Sequence, residues 1–135
     1  MVDEPPVDSL TLEQIEGRSW GDPPPDATAL MTRVHELRRK PVGTMGAEDL
    51  RVLIAQKVGL DTVVPVALAR LAQDPLLEGE YYPGDVLAAV LAVPVSYWAA
   101  NPAQQTALER VIGSIDPPDP ELAADIRAYR ERTAQ

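Results

Sequence analysis

Residues 75–91 read Pro-Leu-Leu-Glu-Gly-Glu-Tyr-Tyr-Pro-Gly-Asp-Val-Leu-Ala-Ala-Val-Leu. A dense polar connection is followed at once by an apolar pattern with helical spacing. Gly79 and Pro83-Gly84 predict turns, and Asp85 is placed to help cap the next helix. The residues expected to face the core from that helix are Val86, Leu87, Val90 and Leu91.

Helix patterns continue on both sides of this stretch, and their breaks fall at proline and glycine. Outside short Val-rich pieces, no segment shows the alternation expected of a strand. We therefore predict an all-α fold, a compact bundle of six to seven helices with short loops and a Pro-rich N-terminal segment. The predicted helices lie at about 11–16, 27–40, 47–58, 62–73, from Asp85 to a break at Pro94, 102–115, and 119–133.

The expected helix caps come from short polar side chains. Thr11 and Gln14 have the spacing of a capping box, in which each side chain bonds the other residue's backbone. Asp26, Asp61 and Asp119 precede helix patterns and are predicted N-caps. Asn101 and the last helix's Asp119 are each followed by proline, which suits the first helical position.

The N-terminal half contains two features with alternative interpretations. Trp20 precedes Pro23–Pro25 and either clamps this segment onto the bundle, which we favour, or anchors a partner. Arg38, Arg39 and Lys40 end a helix in which Leu30, Val34 and Leu37 are expected to be buried. We favour a role for these cations in complementing the helix dipole over a phosphate-binding patch.

Composition restricts the core and the domain organisation. The chain has 135 residues, which fits one domain, with no Phe and no Cys. Aliphatic packing is therefore expected, without disulfides or thiolate metal sites. Residues 1–9 are predicted to be a disordered acidic lead-in, residues 10–116 a helical domain, and residues 117–135 a C-terminal helix packed on or extending it. Neither a membrane span nor a secretion signal is visible, so a cytoplasmic protein is expected.

The net charge of −9 arises from 12 basic and 21 acidic residues. Residues 73–85 alone hold four acids and no base. An acidic surface repels nucleic acid and membranes and attracts basic partners, although acidity also serves solubility alone.

No catalytic or metal motif is present. His35 is the only histidine and lies in the middle of a predicted helix without a visible partner, so a structural or exposed role is favoured. The carboxylates of Asp74, Glu78, Glu80 and Asp85 match no calcium-loop spacing. We expect a protein without enzymatic activity and without a cofactor.

The tyrosines of the opening stretch allow two roles. Tyr81 or Tyr82 can plug the end of the bundle, while exposed tyrosines among acids can bind a cationic partner. Both roles are compatible if one tyrosine points inward and the other outward. The predicted partner-binding residues are Glu78, Glu80, Tyr81, Tyr82 and Asp85.

The same block, together with several upstream segments in matching order, resembles the immunity proteins of bacterial contact-dependent growth inhibition systems. The likeness extends over about residues 9–92 and is weaker at Pro23–Pro25 and after Pro94. The segments that carry it are Ser9–Gly17 with Trp20-Gly21, Leu37–Pro41, Asp49–Gln56 with Gly59-Leu60, Val64–Leu68, and Glu78-Gly79-Glu80-Tyr81-Tyr82-Pro83-Gly84-Asp85-Val86-Leu87.

This resemblance implies a non-enzymatic protein that binds a cognate toxin domain and neutralises it in the cytoplasm. Many such toxins are nucleases with basic grooves, which an acidic protein would complement. It implies no catalytic residues. The alternatives are a helical adaptor with another partner and an enzyme that uses the carboxylates beside Tyr81 and Tyr82. A monomer is favoured.

Overall fold

The computed structural model describes residues 7–134, except for the side chain of Val7, and these residues form eight α-helices. Their bounds are α1 Leu12–Glu16, α2 Ala29–Arg38, α3 Ala47–Ala55, α4 Leu60–Gln73, α5 Asp85–Leu91, α6 Val95–Ala100, α7 Pro102–Gly113 and α8 Pro120–Thr133. Short 3₁₀ segments occur at Val7–Ser9 and Val42–Thr44. Most of the predicted lead-in at residues 1–9 lies outside the described residues.

The all-α prediction is confirmed. Residues 7–134 contain no strand, only one isolated antiparallel bridge between Glu78 and Pro83. One more helix forms than the sequence predicted, because a new helix, α6, follows the break at Pro94, between the predicted helices. No helix in this part of the chain is long and apolar enough to cross a membrane.

Two of the predicted caps are confirmed by their hydrogen bonds. The Gln14 N–H donates to Thr11 Oγ1 at 3.2 Å, and the Thr11 N–H donates to Gln14 Oε1 at 2.9 Å, which completes the capping box. The Leu122 N–H donates to Asp119 Oδ1 at 2.8 Å at the start of α8.

The predicted caps at Asp26 and Asp61 are wrong, whereas Asn101 takes the predicted N-cap position before Pro102 without a capping hydrogen bond from its side chain. Helix α2 is capped by Thr28 instead of Asp26, because a turn closed by the Ala27 N–H and the Pro24 carbonyl separates Asp26 from the helix. Helix α4 begins after Gly59, whose φ is +64°, so Asp61 falls in its first turn. The side chain of Asn101 turns back and donates to the Tyr97 carbonyl at 2.9 Å.

Helix α3 lies at the centre of the bundle and packs against α2, α4 and α5, while α4 packs against α7. The core is almost entirely aliphatic, as the composition predicted. Val34 and Leu37 are buried as expected, but Leu30 is 44% exposed. Leu30 stands in the first turn of α2 and lines a surface groove rather than the interface with α3.

Helix α8 closes the bundle against α5 and α6. Its buried side chains are Leu122, Ile126 and Tyr129. The Tyr129 ring meets the buried Trp98 ring edge-on at a centroid distance of 6.1 Å. The guanidinium of Arg132 donates to the Leu91 carbonyl at the end of α5. The C-terminal end of α5 is thereby held against α8.

Candidate functional site

Residues 78–85, called the tyrosine loop here, fold around the carboxylate of Asp85. This side chain is 3% exposed and stands at the first position of α5. It accepts hydrogen bonds from the backbone N–H groups of Gly79 at 2.6 Å, Tyr81 at 3.1 Å and Tyr82 at 3.4 Å. Asp85 therefore fixes the shape of the loop from inside.

Helix α3 holds the loop from the other side through Glu48. Its Oε1 accepts the Glu80 N–H at 3.1 Å, and its carboxylate accepts two hydrogen bonds from Arg51 at 2.6 and 2.5 Å. The hydrogen bonds from the Arg51 guanidinium are the main reason why the pKa of Glu48 lies below its ordinary value. Since Glu48 and Arg51 are both mostly buried, the loop rests on a charged and fixed support.

Gly79 is required where the two carboxylates meet. A Cβ at this position would lie 2.5 Å from Glu48 Oε1 and 3.0 Å from Asp85 Oδ2. Neither oxygen is free to withdraw, because Glu48 is held by Arg51 and Asp85 by three backbone N–H groups. The loop can adopt this conformation only because residue 79 is a glycine without a side chain.

We expect Gly79→Ala to lower the free energy of unfolding by about 1–3 kcal/mol, because the added methyl group overpacks a fixed site. Urea denaturation followed by circular dichroism measures it. The control is Gly113→Ala, at the end of α7, where a Cβ meets nothing within 4 Å. That change should be neutral or stabilising by up to about 1 kcal/mol. Equal losses in the two variants would contradict the steric argument.

Both tyrosines point outward. Tyr81 is 68% exposed and Tyr82 46% exposed, so neither ring takes the inward position that would plug the end of the bundle. Their backbone N–H groups donate to the buried Asp85 carboxylate, while both side chains lie at the surface. The Arg51 guanidinium lies 4.6 Å from the centroid of the Tyr81 ring, a cation–π contact that holds the exposed ring.

Tyr82 lies close to acids of α8 that the sequence analysis missed. Partial burial raises the pKa of Tyr82, and the carboxylates of Asp125, Asp85 and Glu121 raise it further. Asp125 and Glu121 are exposed and one turn apart on α8. Their spacing is visible in the sequence, but nothing in the sequence places α8 beside residues 78–85.

The predicted acids differ in their surroundings. Glu78 is exposed, and Glu80 is exposed with one oxygen 3.9 Å from Arg33. Arg33 is also bonded to Asp49, at 3.2 Å. The candidate surface therefore consists of Glu78, Glu80, Tyr81 and Tyr82, bordered by the acids of α8. Asp85, which was predicted to be part of it, lies beneath it.

A family model described as CDI immunity proteins matches residues 14–108, well over half of the chain. The chain belongs to the CDI immunity protein family. The suspected resemblance is confirmed, and membership implies binding and neutralisation of a cognate toxin. The match includes the tyrosine loop, whereas α8 lies beyond it. No curated protein and no solved structure matches the chain.

In this immunity protein the basic run at the end of α2 is paired with carboxylates. Arg38 Nη1 lies 2.5 Å from Glu16, and Arg39 lies 3.3 Å from Glu13 and 3.0 Å from Asp22. Lys40 bonds Asp49 at 2.7 Å. This pairing favours the structural interpretation of the run over a phosphate-binding patch.

Trp20 packs against side chains of α2. Its ring lies 4.2 Å from the Arg38 guanidinium carbon and meets His35 edge-on at 5.4 Å, so it fastens the preceding segment to α2. It nevertheless remains 43% exposed. The clamp that the sequence favoured forms, but it leaves a large part of the ring open to solvent.

Members of the CDI immunity protein family are in general non-catalytic. His35 lies beside Trp20 with Nδ1 3.2 Å from the Gly21 carbonyl oxygen, and Asp85 is not among the residues that line the same groove. Among residues 7–134 no group of three or more His, Asp or Glu side chains is arranged to hold a metal ion.

Proposed function

We propose that this protein binds a basic cognate toxin domain, with a nuclease as the favoured class, and blocks it in the cytoplasm without catalysis. The tyrosine loop is the centre of the proposed contact surface. The observation that carries this proposal is the Tyr81 ring, which is 68% exposed yet held by Arg51 at 4.6 Å. A large aromatic ring kept at the surface by a fixed support suits the role of an interface anchor.

The rigidity of the loop supports the same role. Three backbone N–H groups bond Asp85 and a fourth bonds Glu48, so the backbone around both tyrosines is ordered in the free protein. Binding then loses little conformational entropy, and more of the contact free energy remains as affinity. In this proposal Asp85 positions the loop, while Glu78, Glu80, Tyr81 and Tyr82 contact the toxin.

The charge distribution supports a basic partner. The chain carries a net charge of −9, and Glu78 and Glu80 flank the tyrosines at the surface. A negative surface accelerates association with a basic one and disfavours nucleic acid and anionic membranes. We propose a monomer that forms a one-to-one complex with its toxin.

An immunity protein is expected to be encoded directly after its toxin, so the proposal is tested with the toxin domain that we expect the adjacent upstream gene to encode. The wild-type protein should capture this domain in a pull-down and restore growth of cells that express it. Glu78→Lys with Glu80→Lys should then slow association about tenfold at low salt and flatten the salt dependence, because electrostatic steering is lost. Stopped-flow kinetics at several salt concentrations measures both effects.

The control is a second pair of substitutions, which changes the net charge by the same amount at sites outside the tyrosine loop. Asp61→Lys lies in the first turn of α4 beside α6, and Glu131→Lys lies in the groove between α7 and α8. The two pairs are compared at physiological ionic strength, where charges beyond a Debye length of about 8 Å are largely screened, so this pair should alter association at most about twofold. An equal slowing by both pairs would remove Glu78 and Glu80 from the interface.

A further inference from the structure

A second exposed apolar feature lies beside α2. Residues 7–134 contain six exposed large hydrophobic side chains, and three of them, Trp20, Leu30 and Met31, line one groove. Its volume is about 170 Å³, and its remaining lining residues are Val34, His35, Gln56 and Val58. Exposed apolar side chains that converge on one concave place mark interaction sites more often than scattered ones do.

The wall of this groove is fixed in the free protein. Arg38 lies 4.2 Å from the Trp20 ring centroid, and the His35 ring meets Trp20 edge-on at 5.4 Å. His35 Nδ1 is in turn 3.2 Å from the Gly21 carbonyl oxygen, in the turn that follows Trp20. Trp20 therefore stands as a preformed aromatic wall opposite Leu30 and Met31.

The lining contains no carboxylate, lysine or arginine. Arg38, which lies against Trp20, has its charge paired with Glu16 at 2.5 Å. In a chain with a net charge of −9, an uncharged groove of this kind suits an uncharged apolar occupant. A charged group placed there would lose hydration without gaining an ionic partner.

The size of the groove restricts the occupant further. A cavity of about 150 Å³ holds a benzene-sized molecule, so this groove accommodates one aromatic or branched aliphatic side chain. A stable interface needs about 800 Å² per partner. Trp20, Leu30 and Met31 are each less than half exposed, so together they fall well short of that area. The groove is therefore too small to support a dimer of this chain by itself.

The groove is close enough to the tyrosine loop to share one interface with it. Arg33, within one turn of Leu30 on α2, lies 3.9 Å from Glu80 of the tyrosine loop. The groove and the loop thus border the same short helix. An interface of standard size, about 20–30 residues per side, is large enough to extend over both.

We propose that this groove is the apolar anchor site of the toxin complex and receives one aromatic or branched aliphatic side chain of the toxin domain. This inference rests on the proposed function and adds a second contact to the tyrosine loop. Binding then combines an electrostatically steered encounter at the loop with burial of an apolar side chain beside Trp20.

The test measures binding of the upstream-encoded toxin domain to Leu30→Ala/Met31→Ala by isothermal titration. We expect about 30-fold weaker binding than wild type, as for loss of hot-spot residues. The unfolding midpoint should change little, because both side chains are nearly half exposed. The control is Ile115→Ala, in the separate groove between α7 and α8, which should leave toxin binding unchanged. If the double variant and the wild type bind the toxin equally well, the groove is not a toxin-binding site, but the proposed function is unaffected.

A second readout does not depend on the toxin. N-acetyl-phenylalaninamide is titrated into the protein while the methionine methyl groups are followed by NMR. The Met31 signal should shift saturably in the millimolar range, whereas the buried Met45 should not, and N-acetyl-alaninamide should shift neither. No shift at Met31 overturns the groove as a site for an aromatic side chain. If the toxin domain does not bind the wild-type protein, two proposals fail together: the proposed function, and the proposal that a toxin side chain occupies the groove.

Discussion

Replacing Asp85 with alanine is expected to lower the free energy of unfolding by about 3 kcal/mol. The carboxylate is 3% exposed and accepts the N–H groups of Gly79, Tyr81 and Tyr82. Alanine leaves these donors without their acceptor and removes a negative charge from the first turn of α5, where the helix dipole favours it. Urea denaturation measures the loss as a lower midpoint at unchanged m-value.

Two controls separate the buried role of Asp85 from its charge. Glu78→Ala removes an exposed carboxylate from the same loop and should change the stability by no more than about 0.5 kcal/mol. Asp85→Asn retains an acceptor oxygen and should fall between alanine and wild type. If Asp85→Ala and Glu78→Ala destabilise the protein equally, the carboxylate does not hold the loop.

Replacing Tyr81 with alanine is expected to weaken toxin binding by about 30- to 1000-fold, which corresponds to about 2–4 kcal/mol for a hot-spot aromatic residue. The ring is held at the surface by Arg51 before the toxin arrives, so its removal takes away a preformed contact. Isothermal titration with the upstream-encoded toxin domain measures the effect. The stability should fall by only about 0.5–1 kcal/mol, the value of an exposed cation–π contact.

Tyr81→Phe is the matched variant, because it keeps the ring and its contact with Arg51 and removes only the hydroxyl group. Its affinity should stay within about fivefold of wild type, the loss of one ordinary hydrogen bond at most. A Tyr81→Ala protein that binds the toxin as tightly as wild type would place the interface elsewhere on the molecule.

The fold could be predicted from the sequence because local signals and core pattern agreed. The capping box at Thr11 and Gln14 and the cap at Asp119 formed as the sequence indicated. Asp26 and Asp61 failed as caps because a proline turn and a left-handed glycine moved the helix starts. Such shifts of two residues depend on turn geometry, which a polar residue before an apolar pattern does not specify.

The candidate site could be predicted only in part. The residues of the tyrosine loop are distinctive in the sequence, but their orientation depends on Glu48 and Arg51, more than 25 residues earlier in the chain. The burial of Asp85 and the exposure of both tyrosines follow from that tertiary support. The groove beside Trp20 was also missed, because helical periodicity assigned Leu30 to the core.

We propose that this CDI immunity protein acts by binding a basic toxin domain through a surface centred on the tyrosine loop. The most direct test is a calorimetric titration of the wild-type protein with the upstream-encoded toxin domain, in which Tyr81→Ala serves as the paired sample. We predict one-to-one binding with a dissociation constant below about 1 μM, and a much weaker complex for the variant. Absence of binding by the wild type at micromolar concentrations would contradict the proposed function, and equal binding by both proteins would contradict the proposed surface.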